Sequence, residues 1–291
     1  MKTRTLPLNQ KLEKNTIDII EFYDEATEDY KFWSNDFNMH FGYYKLFKTN
    51  IFKRDTMLNE MNNQVMKRLK INSKKHRLVD LGCGMGATMR YALTHFKNLI
   101  AYGVTLSEFQ LKHGNELLEG KNGIIIKENY NNTSFQSNTF DSAIAIESFC
   151  HSGHDKKSIQ EAYRILKPNG RLVIADALLK KEVSQLYPGS KYAYKQLCNH
   201  WSLDKLEQID NYKQELEDLG FQNIRIEDIS FRVAPSVFHV PFAIIGFTLK
   251  KLWKTKSLKR ESLHNLKGSF YALLSGLHIK SFGYYLISAT K

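Results

Sequence analysis

Short apolar runs typical of β-strands alternate with helical segments in the middle of the chain, and this alternation constrains the fold more than any other feature. Strands are predicted over 77–81, 99–104, 123–127, 140–146 and 171–175. Neighbouring parallel strands need a crossover connection, which is usually a helix. The pattern therefore predicts an α/β fold in which helices cover both faces of a parallel sheet.

The regions on either side of this alternation complete the predicted architecture. Residues 1–70 are predicted to form an N-terminal helical cap, and residues 71–291 a Rossmann-like domain with a seven-stranded, mostly parallel sheet. After the fifth strand we predict a tyrosine-rich connection, a helix over 203–219, a further strand and a last strand over 281–289. A mostly helical insertion, about 235–277, precedes the last strand, and an insertion of that length often covers a functional site.

Composition and charge narrow the class of protein. Of the 291 residues, 42% are hydrophobic and 25% charged, which is typical of a soluble globular chain. A formal net charge of +12 suits anionic partners, but no RNA-recognition signature is present, so we expect no nucleic-acid partner. Three cysteines without a CxxC pair argue against a disulfide framework or a metal site and fit a reducing cytoplasm. The first residues are polar, so no secretory signal is expected.

A glycine-rich turn follows the first predicted strand. It contains Asp80, Gly82, Gly84 and Gly86. Glycine lets the backbone turn sharply and approach a ligand without interference from a Cβ atom. The spacing is GxGxG rather than the GxGxxG that seats a pyrophosphate on a helix N-terminus, so a cofactor without phosphates is favoured. The alternative interpretation is an ordinary strand-to-helix turn.

Neutral polar residues follow the second predicted strand, where a dinucleotide-binding fold places an acidic residue on the ribose. Thr105 and Leu106 follow directly after this strand, and Gln110 lies one turn into the next helix. After the third strand, Asn129 can accept a hydrogen bond from an adenine amino group while Tyr130 packs nearby. We expect these five residues to contact a nucleoside, although a solvated turn would also explain the last two.

Together these segments resemble the class I S-adenosylmethionine-dependent methyltransferases over nearly the whole chain from about residue 17. Asp80 to Gly86 is similar to their glycine-rich first motif. Gly103 to Gln110 is similar to the GxTLSxxQ form of the cyclopropane fatty acid synthase and tocopherol methyltransferase groups, and Lys167 to Arg171 to the LKPGG turn. Asn129 stands where many members have Asp. The resemblance implies that S-adenosyl-L-methionine is the cofactor.

The end of the fourth predicted strand resembles the acceptor side of the sterol C-24 methyltransferases. Ile146 to Ser152 is similar to their IEATCHAP segment, and the front of the chain, with Tyr23 and His40-Phe41-Gly42, is similar to their N-terminal aromatic pattern. Open α/β sheets bind ligands at the carboxyl ends of their strands. The resemblance implies that Glu147 and His40 contact the cofactor, and that His151, Glu147 and Tyr23 are the candidate catalytic residues.

Two positions depart from the cyclopropane synthases, which the chain otherwise resembles. The bicarbonate-holding Cys of those enzymes corresponds to Phe41, and the Glu of their E-H-x-G-H segment corresponds to Cys150. A bicarbonate base is hard to assemble without both ligands. We therefore expect simple methyl transfer rather than ring closure.

These features predict methylation of a hydrophobic small molecule, isoprenoid or sterol-like, with carbon as the acceptor atom. Positioning supplies most of the acceleration when a methyl group leaves a sulfonium by in-line attack. An alkene would form a carbocation, which aromatic faces stabilise, and His151 or Glu147 would then take a proton.

One other type of methylation stays open, and two functions from other classes are disfavoured. In N- or O-methylation of a polar or aromatic natural-product intermediate, His151 would be the base. A nicotinamide dehydrogenase is disfavoured by the glycine spacing and by Thr105, and a non-catalytic membrane or RNA adaptor by the intact glycine motif.

An apolar stretch followed by a basic one lies in the predicted insertion, from Val237 to Lys254. One interpretation is a lid over an apolar acceptor that makes peripheral contact with an anionic membrane. The other is an ordinary helix packed on the sheet, with a solvated basic end. The longest apolar run, Val240 to Leu249, is too short to span a bilayer.

Overall fold

The computed structural model describes residues 33–71, 74–152, 156–201, 203, 205–255 and 260–291. Its centre is a single sheet formed by β1 His76–Leu81, β2 Leu99–Thr105, β3 Gly123–Lys127, β4 Phe140–Ile146, β5 Leu166–Leu179, β6 Gln222–Asp228 and β7 Phe282–Thr290. The strand order is β3-β2-β1-β4-β5-β7-β6. Strands β1 to β5 are parallel, and β7 runs antiparallel to its neighbours β5 and β6. The predicted seven-stranded, mostly parallel sheet is confirmed.

Helices in the described part of the chain flank this sheet. They are α1 Arg54–Leu69, α2 Ala87–His95, α3 Glu108–Leu117, α4 Lys157–Ile165, α5 Pro188–His200, α6 Ile209–Asp218, α7 Ser230–Val237, α8 Val240–Thr255 and α9 Arg260–Leu277. Short 3-10 turns lie at Phe149–His151 and Val183–Gln185.

Both faces of the sheet are buried, because helices pack on each of them. Successive strand residues point to opposite sides and therefore pack against different helices. Leu78 and Ile144 pack with Met61 and Val65 of α1 on one face. On the other face, Val79 and its neighbours pack with residues of α4. The near-continuous apolar runs of the parallel strands follow from this two-sided burial.

The segment after β5 differs from its sequence-based description. The predicted tyrosine-rich connection contains helix α5, whose first residue is Pro188, a residue suited to the first turn of a helix. The helix predicted over 203–219 begins at Ile209, because the backbone before it pairs with the end of β5: Leu179 N donates to Glu207 O at 2.9 Å. Helices α7, α8 and α9 make up most of the described part of the predicted insertion, and the first of them begins at Ser230 rather than near Pro235.

The strand order places a topological switch between β1 and β4, since the chain proceeds outward from β1 to β3 and then returns to the other side of β1. The carboxyl ends of β1, β2 and β4 therefore border one crevice. Open α/β sheets bind ligands at such a point.

Candidate active site

A cleft of about 990 Å³, counted to its open mouth, lies at these strand ends. All but one of the described residues predicted to contact a cofactor line it. They are His40, Asp80, Gly82, Gly84, Thr105, Leu106, Gln110, Asn129, Tyr130 and Glu147. His151 lines the same cleft. Segments that are distant in sequence are thus brought to one site.

The glycine-rich turn leaves part of the cleft wall without side chains. Gly82 has φ of 96°, in the left-handed region that favours glycine, and a Cβ atom there would clash with the Cβ of Ser148. A Cβ on Gly84 would lie 2.9 Å from Met39 Sδ. Any side chain at these positions would therefore displace the cleft wall.

Gly86 is the exception among the predicted contacts, since it does not line the cleft. It is the N-cap of α2, with φ of 71°, and a Cβ there would meet Ile125 Cδ1 at 3.1 Å. The turn into the helix and its packing on β3 account for this glycine. The predicted contact between Gly86 and a cofactor stays a prediction.

Asp80 contributes a buried carboxyl at the end of β1. The side chain is 3% exposed, and no donor among the described residues pairs with its carboxylate. Burial raises the pKa of Asp80 to about 7. A positive group beside this carboxyl would stabilise its ionised form, so the position favours a cationic ligand.

Hydrogen bonds orient the polar residues at the end of β2. Thr105 Oγ1 donates to Gln110 Oε1 at 2.6 Å, and the backbone N of Ser107 donates to Thr105 Oγ1 at 3.2 Å. Ser107 Oγ accepts from the backbone N of Gln110 at 3.1 Å and so caps α3. The Thr105 hydroxyl and the Gln110 amide are therefore held in place before any ligand arrives.

The loop after β3 is fixed in a similar way. Asn129 Oδ1 accepts from the backbone N of Asn131 at 2.9 Å, which closes a tight turn. The Tyr130 hydroxyl donates to Ser148 O at 2.7 Å, and its ring packs on Phe149 with the centroids 5.6 Å apart. The hydroxyl of Tyr130 thus joins two loops, and its ring lies beside the cleft.

His40 forms part of the cleft wall, and both of its ring nitrogens lie within hydrogen-bond distance of protein atoms. Nδ1 lies 2.8 Å from Phe41 O, and Nε2 lies 3.1 Å from Asn62 Oδ1. Thr88 Oγ1 also donates to Asn62 Oδ1, at 2.9 Å. Burial lowers the pKa of His40. The ring therefore stabilises the wall through this network, and its carbon atoms are what it can offer to a ligand.

A second cavity, of about 1220 Å³, adjoins the cleft. Met39, Glu147 and His151 line both spaces. The remaining walls are mostly apolar and come from α5, α7, α9 and β7. Representative lining residues are Leu197, Trp201, Val233, Phe238, Leu273 and Phe282. Apolar walls with a few polar groups are typical of a site for a hydrophobic small molecule.

Glu147 lies at the junction of the two spaces. It follows β4 directly and has a left-handed backbone, with φ of 49°. Its Oε1 accepts from the backbone N of Phe41 at 2.7 Å and from the Tyr284 hydroxyl at 2.6 Å. Burial raises the pKa of Glu147 to about 8, and the two hydrogen bonds oppose that rise. A carboxyl of this pKa can exchange a proton near neutral pH.

Comparisons with known proteins identify the family. Residues 79–174 match the methyltransferase domain family. The methyltransferase GfsG of Streptomyces halstedii is 25% identical over 221 residues, which cover 74% of this chain and 77% of that protein. The sterol 24-C-methyltransferase of Kluyveromyces lactis is 23% identical over 221 residues, covering 72% of this chain and 58% of that protein. This chain is a class I S-adenosylmethionine-dependent methyltransferase.

A solved structure supports the fold of the methyltransferase over almost its full length. The cyclopropane synthase MmaA2 from Mycobacterium tuberculosis superimposes with a TM-score of 0.80 at 16% identity, over 97% of this chain and 100% of that one. Phe41 and Cys150, the two positions at which the sequence departs from cyclopropane synthases, both line the second cavity.

The cleft of the methyltransferase fits its cofactor, S-adenosyl-L-methionine. The bare turn at Gly82 admits a ligand against the backbone, and the unpaired carboxyl of Asp80 suits an ammonium group. At the end of β2 the cleft offers the neutral Thr105 and Gln110. Among the described residues, no group of three or more His, Cys, Asp or Glu side chains could hold a metal ion.

The methyltransferase has a buried acid that the sequence analysis missed. Asp176 lies on β5, is 3% exposed and lines the second cavity. Its Oδ2 accepts from the backbone N of Cys150 at 3.0 Å, which anchors the turn that carries His151. Burial raises the pKa of Asp176 to about 6. The sequence did contain a signal for this residue, because a charged side chain is unusual within an apolar strand.

The structure describes two of the three predicted catalytic residues. Glu147 and His151 lie together, as both line the cleft and the second cavity. Tyr23 lies outside the described residues. Tyr284, which contacts Glu147 from the last strand, was not predicted, because nothing near it in the sequence relates it to the end of β4.

Proposed function

We propose that this methyltransferase transfers a methyl group to a carbon atom of a hydrophobic small molecule, isoprenoid or sterol-like in character. The observation that carries the proposal is the large, mostly apolar cavity that meets the cofactor cleft at Glu147. The similarity to a sterol 24-C-methyltransferase supports the same acceptor class. We name this second space the acceptor cavity.

Asp80 and the neutral residues around the cleft are assigned to holding the cofactor. When bound, S-adenosyl-L-methionine supplies a methyl group on a positively charged sulfur, open to in-line attack. Asp80 would pair with an ammonium group, and Gly82 and Gly84 would admit the ligand against the backbone. Thr105, Leu106, Gln110, Asn129 and Tyr130 would surround the nucleoside, and His40 would stabilise the wall behind it.

Glu147 is assigned as the general base. Attack by an alkene leaves a carbocation on the acceptor, and a base must then remove a proton from it. An ionised Glu147 at the junction would stabilise that positive charge electrostatically and then accept the proton. The faces of Phe41 and Trp201 in the same cavity would add cation–π stabilisation.

Positioning accounts for the remainder of the acceleration. Tyr284 and the backbone N of Phe41 fix the Glu147 carboxylate from two sides. His151 is assigned as a second catalytic or substrate-contacting residue because it reaches both spaces. Tyr23 remains a candidate from the sequence alone.

We expect the acceptor molecule to carry one polar group in addition to its apolar framework. Trp201 and Ser275 line the acceptor cavity, and their Nε1 and Oγ atoms are buried without a hydrogen-bond partner among the described residues. Buried donors without partners cost free energy until a ligand satisfies them. A hydroxyl or carbonyl on an otherwise apolar acceptor would do so.

The wider organisation follows the sequence-based expectation and is part of the proposal. We assign residues 1–70 to a cap and 71–291 to the catalytic domain, and we place the enzyme in the cytoplasm. The three free cysteines are consistent with a reducing compartment.

The test is incorporation of methyl label from S-adenosyl-L-methionine into lipid and polar metabolite extracts. Label in the organic phase is expected. With a trideuteromethyl donor, the product should retain three deuterium atoms and lose one framework hydrogen, as C-methylation with deprotonation requires. Label confined to the polar phase would overturn the apolar acceptor and indicate N- or O-methylation. Asp80→Asn serves as the control, in which labelling of every acceptor should fall when S-adenosyl-L-methionine is limiting.

A further inference from the structure

An exposed apolar stripe runs along α8 and the residues just before it. Phe238, Phe242, Ile245, Leu249 and Trp253 are spaced by four, three, four and four residues, which puts them on one side of a helix. Their exposed fractions are 58%, 74%, 57%, 64% and 90%, respectively. Large apolar side chains at such exposure form a patch that soluble monomers rarely leave uncovered.

The opposite side of the same segment is packed against the protein. Val233, Val240 and Phe247 are buried. By length and composition alone, the 20 residues from Ser230 to Leu249 could cross a membrane, and only a minority of them are buried in the protein. This stretch is longer than the apolar run seen in the sequence, because it includes α7. Its one-sided packing is typical of a helix that lies in a membrane interface rather than across the bilayer.

A second exposed apolar segment lies beside this stripe. In the loop before α1, Phe47 is 99% exposed and Phe52 85%. His239 Nε2 lies 2.6 Å from Ile51 O, which ties the loop to the turn between α7 and α8. The backbone N of Tyr44 donates to Arg232 O at 2.7 Å. We call these two segments together the docking face; its residues are Phe47, Phe52, Phe238, Phe242, Ile245, Leu249 and Trp253.

The two chain segments that carry the docking face contain basic residues and no acidic ones. Residues 230–255 contain Arg232, Lys250, Lys251 and Lys254 and no acidic residue, and residues 45–54 contain four basic residues and no acidic one. Lys48 pairs with Glu60 at 3.2 Å, and Arg54 lies close enough to Asp55 for the two charges to interact. Apolar side chains bordered by basic ones are complementary to an anionic lipid headgroup layer.

The docking face is continuous with the acceptor cavity. Phe238 belongs to both, being 58% exposed and also part of the cavity lining. Leu277 and Ile279 line the cavity and are 60% and 50% exposed. An apolar molecule could therefore pass between a bilayer and the cavity without crossing water.

We propose that the docking face binds the surface of an anionic phospholipid bilayer and so places the mouth of the acceptor cavity against the lipid. Phe242 and Trp253 insert among the acyl chains, and Lys45 and Lys53 of the neighbouring loop contact the headgroups. Entry of the acceptor from the bilayer rests on the proposed function, whereas binding to the bilayer does not.

The test is flotation of the full-length protein with vesicles of phosphatidylcholine alone, or with about a third of the lipid replaced by phosphatidylglycerol. No acceptor or cofactor is added, so failure here would leave the methyl-transfer proposal untouched. We expect binding to the anionic vesicles, weakened by high salt. The emission of Trp253 should shift to the blue, and Trp253→Phe should remove that shift, although Trp33 and Trp201 remain.

A paired substitution tests whether this face is responsible. Phe242→Ser with Trp253→Ser should reduce vesicle affinity by about tenfold or more, since each large side chain contributes when it is buried in lipid. Ile124→Ser, on the exposed edge strand β3, is the matched control and should bind like the wild type. Absence of wild-type binding, or equal loss in the control, would overturn the proposal. So would a dimer that the double variant dissociates without any vesicle binding.

Discussion

The Tyr284 hydroxyl donates a 2.6 Å hydrogen bond to Glu147 Oε1, although 137 residues separate the two in the chain. The backbone N of Phe41 donates to the same oxygen at 2.7 Å. Three distant segments, the front of the chain, the end of β4 and the start of β7, therefore meet at one carboxyl. Its orientation depends on the completed sheet, because β7 is held between β5 and β6.

Replacement of Glu147 by Gln should lower kcat by about 10²- to 10⁴-fold, the range that a general base contributes. The side-chain amide of the variant would still accept from Tyr284 and Phe41 through its carbonyl oxygen, so the fold should be kept. Steady-state rates and cofactor affinity separate these effects: kcat should fall while the Kd for S-adenosylhomocysteine stays within a few-fold.

His151→Gln provides the comparison for that variant. If Glu147 is the base, loss of His151 should reduce kcat less than loss of Glu147 does. The reverse order would assign the proton transfer to His151 and would favour a nitrogen or oxygen acceptor.

Removal of the Tyr284 hydroxyl should move the pH profile. Because its hydrogen bond lowers the pKa of Glu147, Tyr284→Phe should raise that pKa further above the value of about 8. The base form then appears only at higher pH, so the acidic limb of the kcat profile should shift to the alkaline side. A profile that keeps its position would show that Glu147 is not the titrating group.

Asp80 should release a proton when a ligand carrying an ammonium group binds. Its pKa of about 7, raised by burial, leaves the free carboxyl largely protonated at pH 6, and a cation beside it would lower that pKa. Calorimetry with S-adenosylhomocysteine in two buffers of different ionisation enthalpy measures the release. Asp80→Asn should abolish it and weaken binding by about 10- to 100-fold, as loss of a charged hydrogen bond implies.

Gly82→Ala should abolish cofactor binding, because the new Cβ would clash with Ser148 as well as strain a backbone at φ of 96°. Gly120→Ala is the matched control: its φ is 72°, but its Cβ would meet nothing within 4 Å. Strain alone costs about 1–2 kcal/mol. Both variants should lose some thermal stability, and binding should survive in Gly120→Ala; loss in both would make strain the cause.

Local patterns were sufficient to predict the sheet and most of the cofactor cleft. Strands, glycine turns and strand-end residues such as Thr105 and Glu147 lie within short windows, where burial and backbone geometry act directly on the sequence. The contacts of Tyr284 and Asp176 depend on which strands become neighbours, and that is decided by the whole sheet. Gly86 shows that a position of the glycine motif also has a structural role, since it begins helix α2 and packs against Ile125.

Glu147 also makes the stability of the fold decrease as the pH rises towards 8. Its pKa in the native protein, about 8, lies above the value of an unfolded chain, so the native state holds a proton that the unfolded state gives up. Its contribution to the unfolding free energy is therefore lost as pH rises from about 4.3 towards 8. Melting temperatures of wild type and Glu147→Gln should diverge over that interval, with the wild type declining more. The carboxyl that we assign to proton transfer thus also makes the heat resistance of the whole protein depend on the acidity of its surroundings.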